Sequence, residues 1–466
     1  MSYQVPQHIS KNKIFTVNKS EIDGRLDPKM ALYSQSVQHA LYPMVKLKKL
    51  LLNKPQYGAN EAGIIRDNNE QPRYIRITDI DEYGLISFNE LGATVANLDD
   101  KYILNENDIV IARSGATVGK AYIHKHLPYA CVYAGYLIRF VVDPEKILPD
   151  YLFAYTQLNT YKEWVNAIQR PSAQPNINAE EYQSLEIPLP NLSKQQEIVE
   201  YINTAYAQKK VKETEAQQLL DSIDCYLLKE LGITTPKIQT DLDNRIFIVQ
   251  KKDLKGRYIP SLYKDAVTLH STIYQNISLS HLAYINPNTR FPNRTKEIQI
   301  SFVPMESVNE IYAEITDHKD CLIEESKGFT RFQEGDLLWA KITPCMENGK
   351  SAIAKGLTNG YGCGSTEFHV IRPKKSKLMV EYIHILLHMK VVRQTAKLYF
   401  GGSAGQQRVA VDFLENFNVP LPSMEKQQEV VNFVINLRNR AKTLREEGKV
   451  ILEDAKRKVE QMIIGS

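Results

Sequence analysis

Apolar side chains recur every three or four positions over two long stretches that contain no proline. In the first, Val199, Ile202, Tyr206, Ala216, Leu220, Ile223 and Leu227 approximate a heptad seam, with polar Lys209 and Glu213 in its middle. In the second, Val434, Leu437, Ala441, Leu444, Ile451, Ala455 and Met462 do the same, with Gly448 as a weak point. The spacing predicts helices over 193–231 and 425–464, each on the order of 60 Å long at about 1.5 Å per residue. No single domain accounts for a helix of that length, so the seams predict that the two pair with each other or with partner helices. The other arrangement is that each lies along its own domain. Ahead of each stretch run short β-branched and aromatic segments bounded by Gly, Asn, Asp and Pro: 74–80, 108–112 and 136–142, then 298–305, 336–340 and 367–371. They predict strands, whereas 151–165 and 382–398 have apolar spacing closer to helix.

The pattern is written twice. IPLPNLSKQQEIVEYI begins at Ile187, and VPLPSMEKQQEVVNFV begins 232 positions later at Val419. In both copies a Pro-Leu-Pro run stops an extended segment. Asn191 and Ser423 then stand where a side-chain oxygen can cap the free N–H groups of a first helical turn. The same offset relates FTVNKSEIDGRLDP from Phe15 to FIVQKKDLKGRYIP from Phe247, and Tyr42, Val45, Leu47 and Leu50 to Tyr274, Ile277, Leu279 and Leu282. Near the middle the register slips by a few residues, and NDIVIARSGATVGKAYIHK from Asn107 answers GDLLWAKITPCMENGKSAIAK from Gly335. Each half thus has matching ends and a divergent middle. A period this long means a duplicated domain and not a solenoid. The predicted organisation is a mixed α/β domain over 1–186, a helix over 187–234, a second domain over 235–418 and a second helix over 419–466.

Composition narrows the class. The 466 residues are 43% hydrophobic and 24% charged, which fits two or more globular domains and argues against wholesale disorder. No apolar run approaches the roughly 20 residues that span a bilayer, and the N-terminus has no apolar signal-peptide core. The five cysteines include no CxxC pair, so a reducing cytoplasm is the expected location. The net charge of +4 divides unevenly, −3 over residues 1–232 and +7 over 233–466, which points the second half toward an anionic partner.

Familiar catalytic arrangements are absent. Gly115–Lys120 is one residue too short for a phosphate-binding loop, and the Gly349-Lys350-Ser351 ending has Pro344 where the first glycine belongs. His384 and His388 are spaced for one helix face without the glutamate of a metalloprotease, and His124 and His126 read as a surface pair. Asp320, Glu325 and Lys327 have the loose spacing of a metal-dependent nuclease, the one enzymatic alternative. What each half offers instead is basic and amide side chains on Gly-rich turns. The first has Arg113, Ser114, Thr117 and Lys120, then Arg170, Ser172, Gln174 and Asn176; the second has Lys341, Thr343, Asn348 and Lys350, then Ser403, Gln406, Gln407 and Arg408. Arg, Lys, Gln and Asn read base edges bidentately, and Ser and Thr fix phosphates. Solvated turns are the bland reading of the same residues, and a coiled-coil scaffold without DNA contact is the third reading of the chain.

Two domains with divergent middles, each closed by (I/V)PLPxxxKQQE and a long helix, resemble the DNA-specificity (S) subunits of Type I restriction–modification systems. SGATVGK and GSAGQQRV are phrases such subunits carry. The resemblance covers nearly the whole chain. It implies two target recognition domains that each read half of a split double-stranded DNA site, and two conserved spacer helices packed antiparallel about a pseudo-two-fold axis. It implies two methyltransferase (M) subunits docked on the helices and restriction/motor (R) subunits joining them. S-adenosylmethionine, ATP and magnesium would belong to those partners, and this chain would have no catalysis or metal of its own. Val199, Ile202, Leu220, Ile223, Leu227, Val434, Leu437, Leu444 and Ile451 would form the helix and subunit interfaces.

Overall fold

A computed structural model describes residues 28–86, 91–169, 175–233, 269–291, 298–374, 377–401 and 407–465. Phe15–Asp27 and Phe247–Pro260 of the repeat lie outside these. Two compact units emerge: residues 1–211 with 447–466, and residues 212–446. The long helices are continuous, Leu192–Glu230 and Met424–Ile464, and each gives one end to each unit. The class is mixed α and β, with sheet-rich domains and a paired-helix element.

Both units build the same antiparallel sheet around a strand buried on both faces. In the first unit the order is Gln56–Tyr57, Leu137–Phe140, Ile109–Ala112, Ala121–Ile123; in the second it is Ala283–Ile285, Phe368–Pro373, Leu337–Ala340, Ser351–Ile353. Ile109–Ala112 and Leu337–Ala340 are buried at every position, which is why they read as continuous apolar runs. A second, mixed sheet follows in each unit, and here the copies diverge. Both contain one parallel pair, Arg73–Ile75 with Cys131–Tyr133 and Gln299–Val303 with Tyr361–Gly364. The first unit adds Ala93–Val95 and then Gly63–Ile65 on one side; the second has a strand on each side, Lys319–Leu322 and Thr330–Gln333.

Three expectations need correction. The strand expected over 74–80 ends at Ile75, and a tight turn over Ile77–Asp79 follows. Asp79 there takes the Arg76 backbone N–H at 2.8 Å and its guanidinium at 2.9 and 3.0 Å, a local bond set that competes with the ladder. The single helices expected over 151–165 and 382–398 are each two: Pro149–Thr156 and Asn159–Ile168, then Val380–His388 and Lys390–Lys397. Leu158 and Met389 are extended at the breaks and 1% exposed, so each turns the chain by burying itself. An acid from a long helix then receives the next helix start. Glu460 accepts the Thr160 N–H and hydroxyl at 2.5 Å, and Asp224 accepts the Lys390 N–H at 2.8 Å.

Gly448 does not interrupt the second seam. From Ala441 the buried positions of that helix include Leu444, Gly448, Leu452, Ala455, Val459 and Ile463, a 3-4-4 spacing of 11 residues that a strict heptad misses. Hence Ile451 and Met462 are only half-buried while their neighbours Leu452 and Ile463 are buried. Within the first unit, Ile198, Val199, Ile202 and Ala205 share a core with Leu452, Ala455, Val459 and Ile463. Within the second, Tyr226 stacks on Phe433 at 4.0 Å, Gln217 bonds Arg445 at 3.0 Å and Glu230 pairs with Lys426. Early residues of one helix meet late residues of the other, so the pairing is antiparallel.

The duplicated motif is a joint between domain and helix. Glu186–Pro188 pairs with Met44–Lys46, and Asn418–Leu421 with Gln275–Ser278, both antiparallel. The Tyr151 hydroxyl donates to Pro188 O at 2.6 Å and that of Tyr382 to Pro420 O at 2.8 Å. Asn191 Oδ1 accepts the Lys194 N–H at 2.9 Å, and Ser423 Oγ the Lys426 N–H at 3.3 Å. The first glutamine of each KQQE is fully buried. Gln195 accepts the Leu148 N–H at 2.8 Å and donates to Pro190 O at 2.9 Å and Lys146 O at 3.2 Å. Gln427 accepts the Met379 N–H at 2.9 Å and donates to Lys377 O at 2.9 Å and Pro422 O at 3.1 Å.

Candidate nucleic-acid interface

The central buried strand of each unit runs into a wide turn that carries the basic and amide residues. In the first unit the turn is closed by Gly119 N to Ala112 O at 2.9 Å and Ala112 N to Lys120 O at 2.8 Å. Gly119 has φ +87°, and a side chain there would meet Val165 at 2.8 Å, so both conformation and space require glycine. The second unit repeats this with Ala340 N to Lys350 O at 3.0 Å and Gly349 at φ +88°.

A second segment lies against each turn. Ser114 bridges Asn176, with Gly115 N to Pro175 O at 3.1 Å and Ile177 N to Arg113 O at 2.8 Å. In the second unit Ile342 bridges Arg408, with Thr343 N to Gln407 O at 3.0 Å and Val409 N to Lys341 O at 2.8 Å. The fold thus brings Arg113, Ser114, Thr117 and Lys120 beside Asn176, and Lys341, Thr343, Asn348 and Lys350 beside Gln407 and Arg408. Arg170, Gln174 and Gln406 lie outside the described residues.

Individual roles differ. Arg113 lies over the Tyr57 ring at 4.7 Å. Arg408 is held in a fork by Glu367, Nε to Oε2 at 2.9 Å and Nη2 to Oε1 at 2.8 Å, and that guanidinium holds the Glu367 carboxyl below the usual carboxylate range. Thr343 Oγ1 donates to Gln407 O at 3.2 Å, and Asn348 is exposed. Lys120 and Lys350 turn inward instead, donating to Ile80 O at 2.8 Å and Met305 O at 3.1 Å. Sequence reasoning missed Glu367, Gln195 and Gln427, although KQQE in both copies was a signal for the two glutamines. It also missed Tyr83 and Tyr312 on matching hairpin turns. Lys209 and Lys456 lie over Tyr83 at 3.9 and 5.5 Å, and Lys442 and Arg445 over Tyr312 at 5.5 and 5.8 Å. Of the expected interface residues, Val199, Ile202, Ile223, Leu227, Val434 and Leu444 are buried, whereas Leu220, Leu437 and Ile451 are half-buried.

The nuclease carboxylates are occupied locally. Asp320 accepts the Thr358 hydroxyl at 2.7 Å, and Glu325 accepts the Leu322 N–H at 2.7 Å. Among the described residues no three His, Cys, Asp or Glu side chains converge as a metal site would need, and no helix is long and apolar enough to cross a membrane. His124 is not half of a surface pair: it is 5% exposed, beside the Tyr122 hydroxyl at 3.0 Å, and only His126 is exposed. Burial pushes His124 down to about 4 and His388 down to about 3; it also lowers His384, which sits 3.0 Å from Ser351 Oγ. Held neutral in the fold, His124 and His388 gain a proton on unfolding once the pH is below ~6.5, so their contribution is complete above that pH and falls as pH drops toward the folded values. At pH 5 His124 and His388 each cost about 1–2 kcal/mol. Melting curves from pH 7 to pH 5 should show that loss, and a flat profile would contradict it.

Comparison with known proteins places these features. The pattern of the Type I restriction modification DNA specificity domain matches residues 60–221 and 274–452. The EcoEI specificity subunit of Escherichia coli is 40% identical over 156 residues, 33% of this chain and 26% of that protein, so the match spans about a quarter of the relative's length. The EcoKI specificity subunit of Escherichia coli strain K12 is 22% identical over 344 residues, 72% of this chain and 68% of its own. Among solved structures, the HsdS subunit from Thermoanaerobacter tengcongensis is 14% identical and overlaps 91% of this chain and 97% of its own at a TM-score of 0.36. With two matched segments that together cover most of its length, the chain belongs to the Type I restriction modification DNA specificity domain family.

Proposed function

We propose that this chain is the DNA-reading subunit of a Type I restriction–modification complex. Residues 1–186 and 235–418 act as target recognition domains for the two halves of a split double-stranded site. Residues 187–234 and 419–466 act as spacer helices on which two M subunits dock, with R subunits joining the assembly. The chain contributes recognition and geometry without catalysis, and S-adenosylmethionine, ATP and magnesium belong to the partners. The observation that carries this reading is the twofold occurrence of one arrangement: a glycine turn after a buried strand, bridged to a second polar segment, beside a domain closed by the same buried glutamine. Duplication of a reading surface fits a two-part target better than it fits an active site. Lys and Arg contacts to phosphates supply salt-sensitive affinity, and base-edge contacts supply discrimination.

The test is methylome sequencing of cells that carry this chain with its M partner. A split motif containing methylated adenine is expected; unmodified DNA in cells with both proteins present would sink the proposal. At residue level, Arg408→Ala should cost about 1–3 kcal/mol at one half-site if a bidentate base contact is lost. Glu367→Gln should reproduce part of that loss, because Glu367 orients the Arg408 fork. Equal affinity for the target in all three proteins, measured on the complex with M, would remove Arg408 from the reading set.

A further inference from the structure

Five buried side-chain polar atoms among the described residues lack a hydrogen-bond partner: Tyr33 Oη, Arg66 Nη2, Arg73 Nε, Thr94 Oγ1 and Tyr206 Oη. Three of the five share one face of the mixed sheet in the first unit. Tyr74 pairs antiparallel with Ala93, which makes Thr94 the cross-strand neighbour of Arg73. Ile64 pairs with Thr94, and Arg66 follows two positions later on the same face.

Two positive charges converge there. Arg66, 2% exposed, donates from Nε to Gln71 O at 2.9 Å and from Nη1 to Leu91 O at 3.0 Å. Its guanidinium lies 4.2 Å from the centre of the Tyr129 ring. Arg73, 1% exposed, reaches the same tyrosine through a long bond from Nη1 to Oη at 3.4 Å. Gly92 passes so close that a side chain there would stand 3.0 Å from Arg73 Nε. Among the described residues no carboxylate bonds either guanidinium. A guanidinium does not shed its proton in a protein, and an ion buried without a counter-charge costs several kcal/mol. Among the described residues, then, the pair has no counter-charge. Leu91 is exposed, and Gln71 and Tyr129 are half-buried, so the cluster lies one residue layer below the surface.

The geometry points to an oxyanion site of phosphate type, formed by Arg66, Arg73 and the Thr94 hydroxyl, in the first recognition domain. The open donors are Arg66 Nη2 and Arg73 Nε, guanidinium N–H groups suited to oxyanions, and the Thr94 hydroxyl adds a third from the same face. The anion is either a phosphodiester of the bound DNA, which rests on the proposed DNA-reading role, or free phosphate. In the second unit the position equivalent to Arg73 is Ser301, since Ser301 and Arg73 begin the same parallel pairing. Ser301 is satisfied by the Thr358 N–H at 2.9 Å. The site is a property of the first unit, and the net charge of −3 over residues 1–232 of the sequence hides it.

Two arms test it on the full chain. In the first, melting is followed with inorganic phosphate in the low millimolar range against chloride at matched ionic strength. A saturable rise of roughly 3 °C or more is expected, reduced in Arg73→Lys, which keeps the charge and loses the fork. In the second, DNA affinity of the complex with M is measured against salt for the native chain and Arg73→Gln, which removes the charge. A log–log slope shallower by about 0.9 in the variant identifies a DNA phosphate as the anion. A phosphate response with an unchanged slope identifies free phosphate. No phosphate response together with an unchanged slope overturns the site. Failure of the complex to bind DNA at all overturns the reading role instead and leaves the melting arm decisive.

Discussion

Gln427→Leu should destabilise the second unit by about 2–4 kcal/mol, while Gln428→Leu next to it changes stability by less than ~0.5 kcal/mol. The two glutamines are adjacent and chemically identical, so the contrast isolates environment. Gln428 is exposed and bonds Asn432 Oδ1 at 2.8 Å within its own helix. Gln427 is fully buried and serves one N–H and two carbonyls from three different places, Met379, Lys377 and Pro422. Leucine fills much of the volume and satisfies none of them, and each orphaned buried group costs about 1–3 kcal/mol. The chain has two tryptophans, and Trp164 and Trp339, each 1% exposed, belong to different units. With Trp164 replaced by Phe, denaturant unfolding followed by fluorescence reports the second unit alone. Equal effects of the two leucine substitutions would refute the joint.

Exchange of residues 235–417 for the equivalent domain of another specificity subunit should replace one half of the methylated motif and leave the other intact. The second-half candidates Lys341, Thr343, Asn348, Gln407 and Arg408 are gathered on one turn and its bridged segment inside that exchange. The first-half candidates Arg113, Ser114 and Thr117 belong to the other unit. Each altered base pair in a half-site costs about 1–3 kcal/mol, roughly additively, so the old half-motif should vanish from the methylome. A change in both halves would show that reading is shared between the domains.

Much of this architecture was legible in the sequence, for identifiable reasons. The duplication was visible because the joint constrains side chains one by one: Gln195 and Gln427 each need an amide with a donor and an acceptor, and Tyr151 and Tyr382 each need a hydroxyl. The long helices were visible because proline-free apolar spacing has few other outcomes. Helix breaks at Leu158 and Met389 were not, since no proline or glycine marks them and the turn is imposed by burial and by the capping acids Glu460 and Asp224. The proposed reading surface was the least legible. A lysine on a glycine turn can face a phosphate or a carbonyl of its own domain, and Lys120 and Lys350 take carbonyls. Nor does any sequence motif distinguish Arg66 and Arg73 from solvated arginines; only the sheet register brings them together.

The buried-glutamine joint has a consequence for how such a protein changes over time. Because the same few contacts close both domains, mutations in the loops between them need not be matched by changes in the helices. On the proposed function, the reading surface can drift while the attachment stays constant. Under that proposal, a lineage can acquire a new target by altering one domain while the domain-to-helix joint is kept.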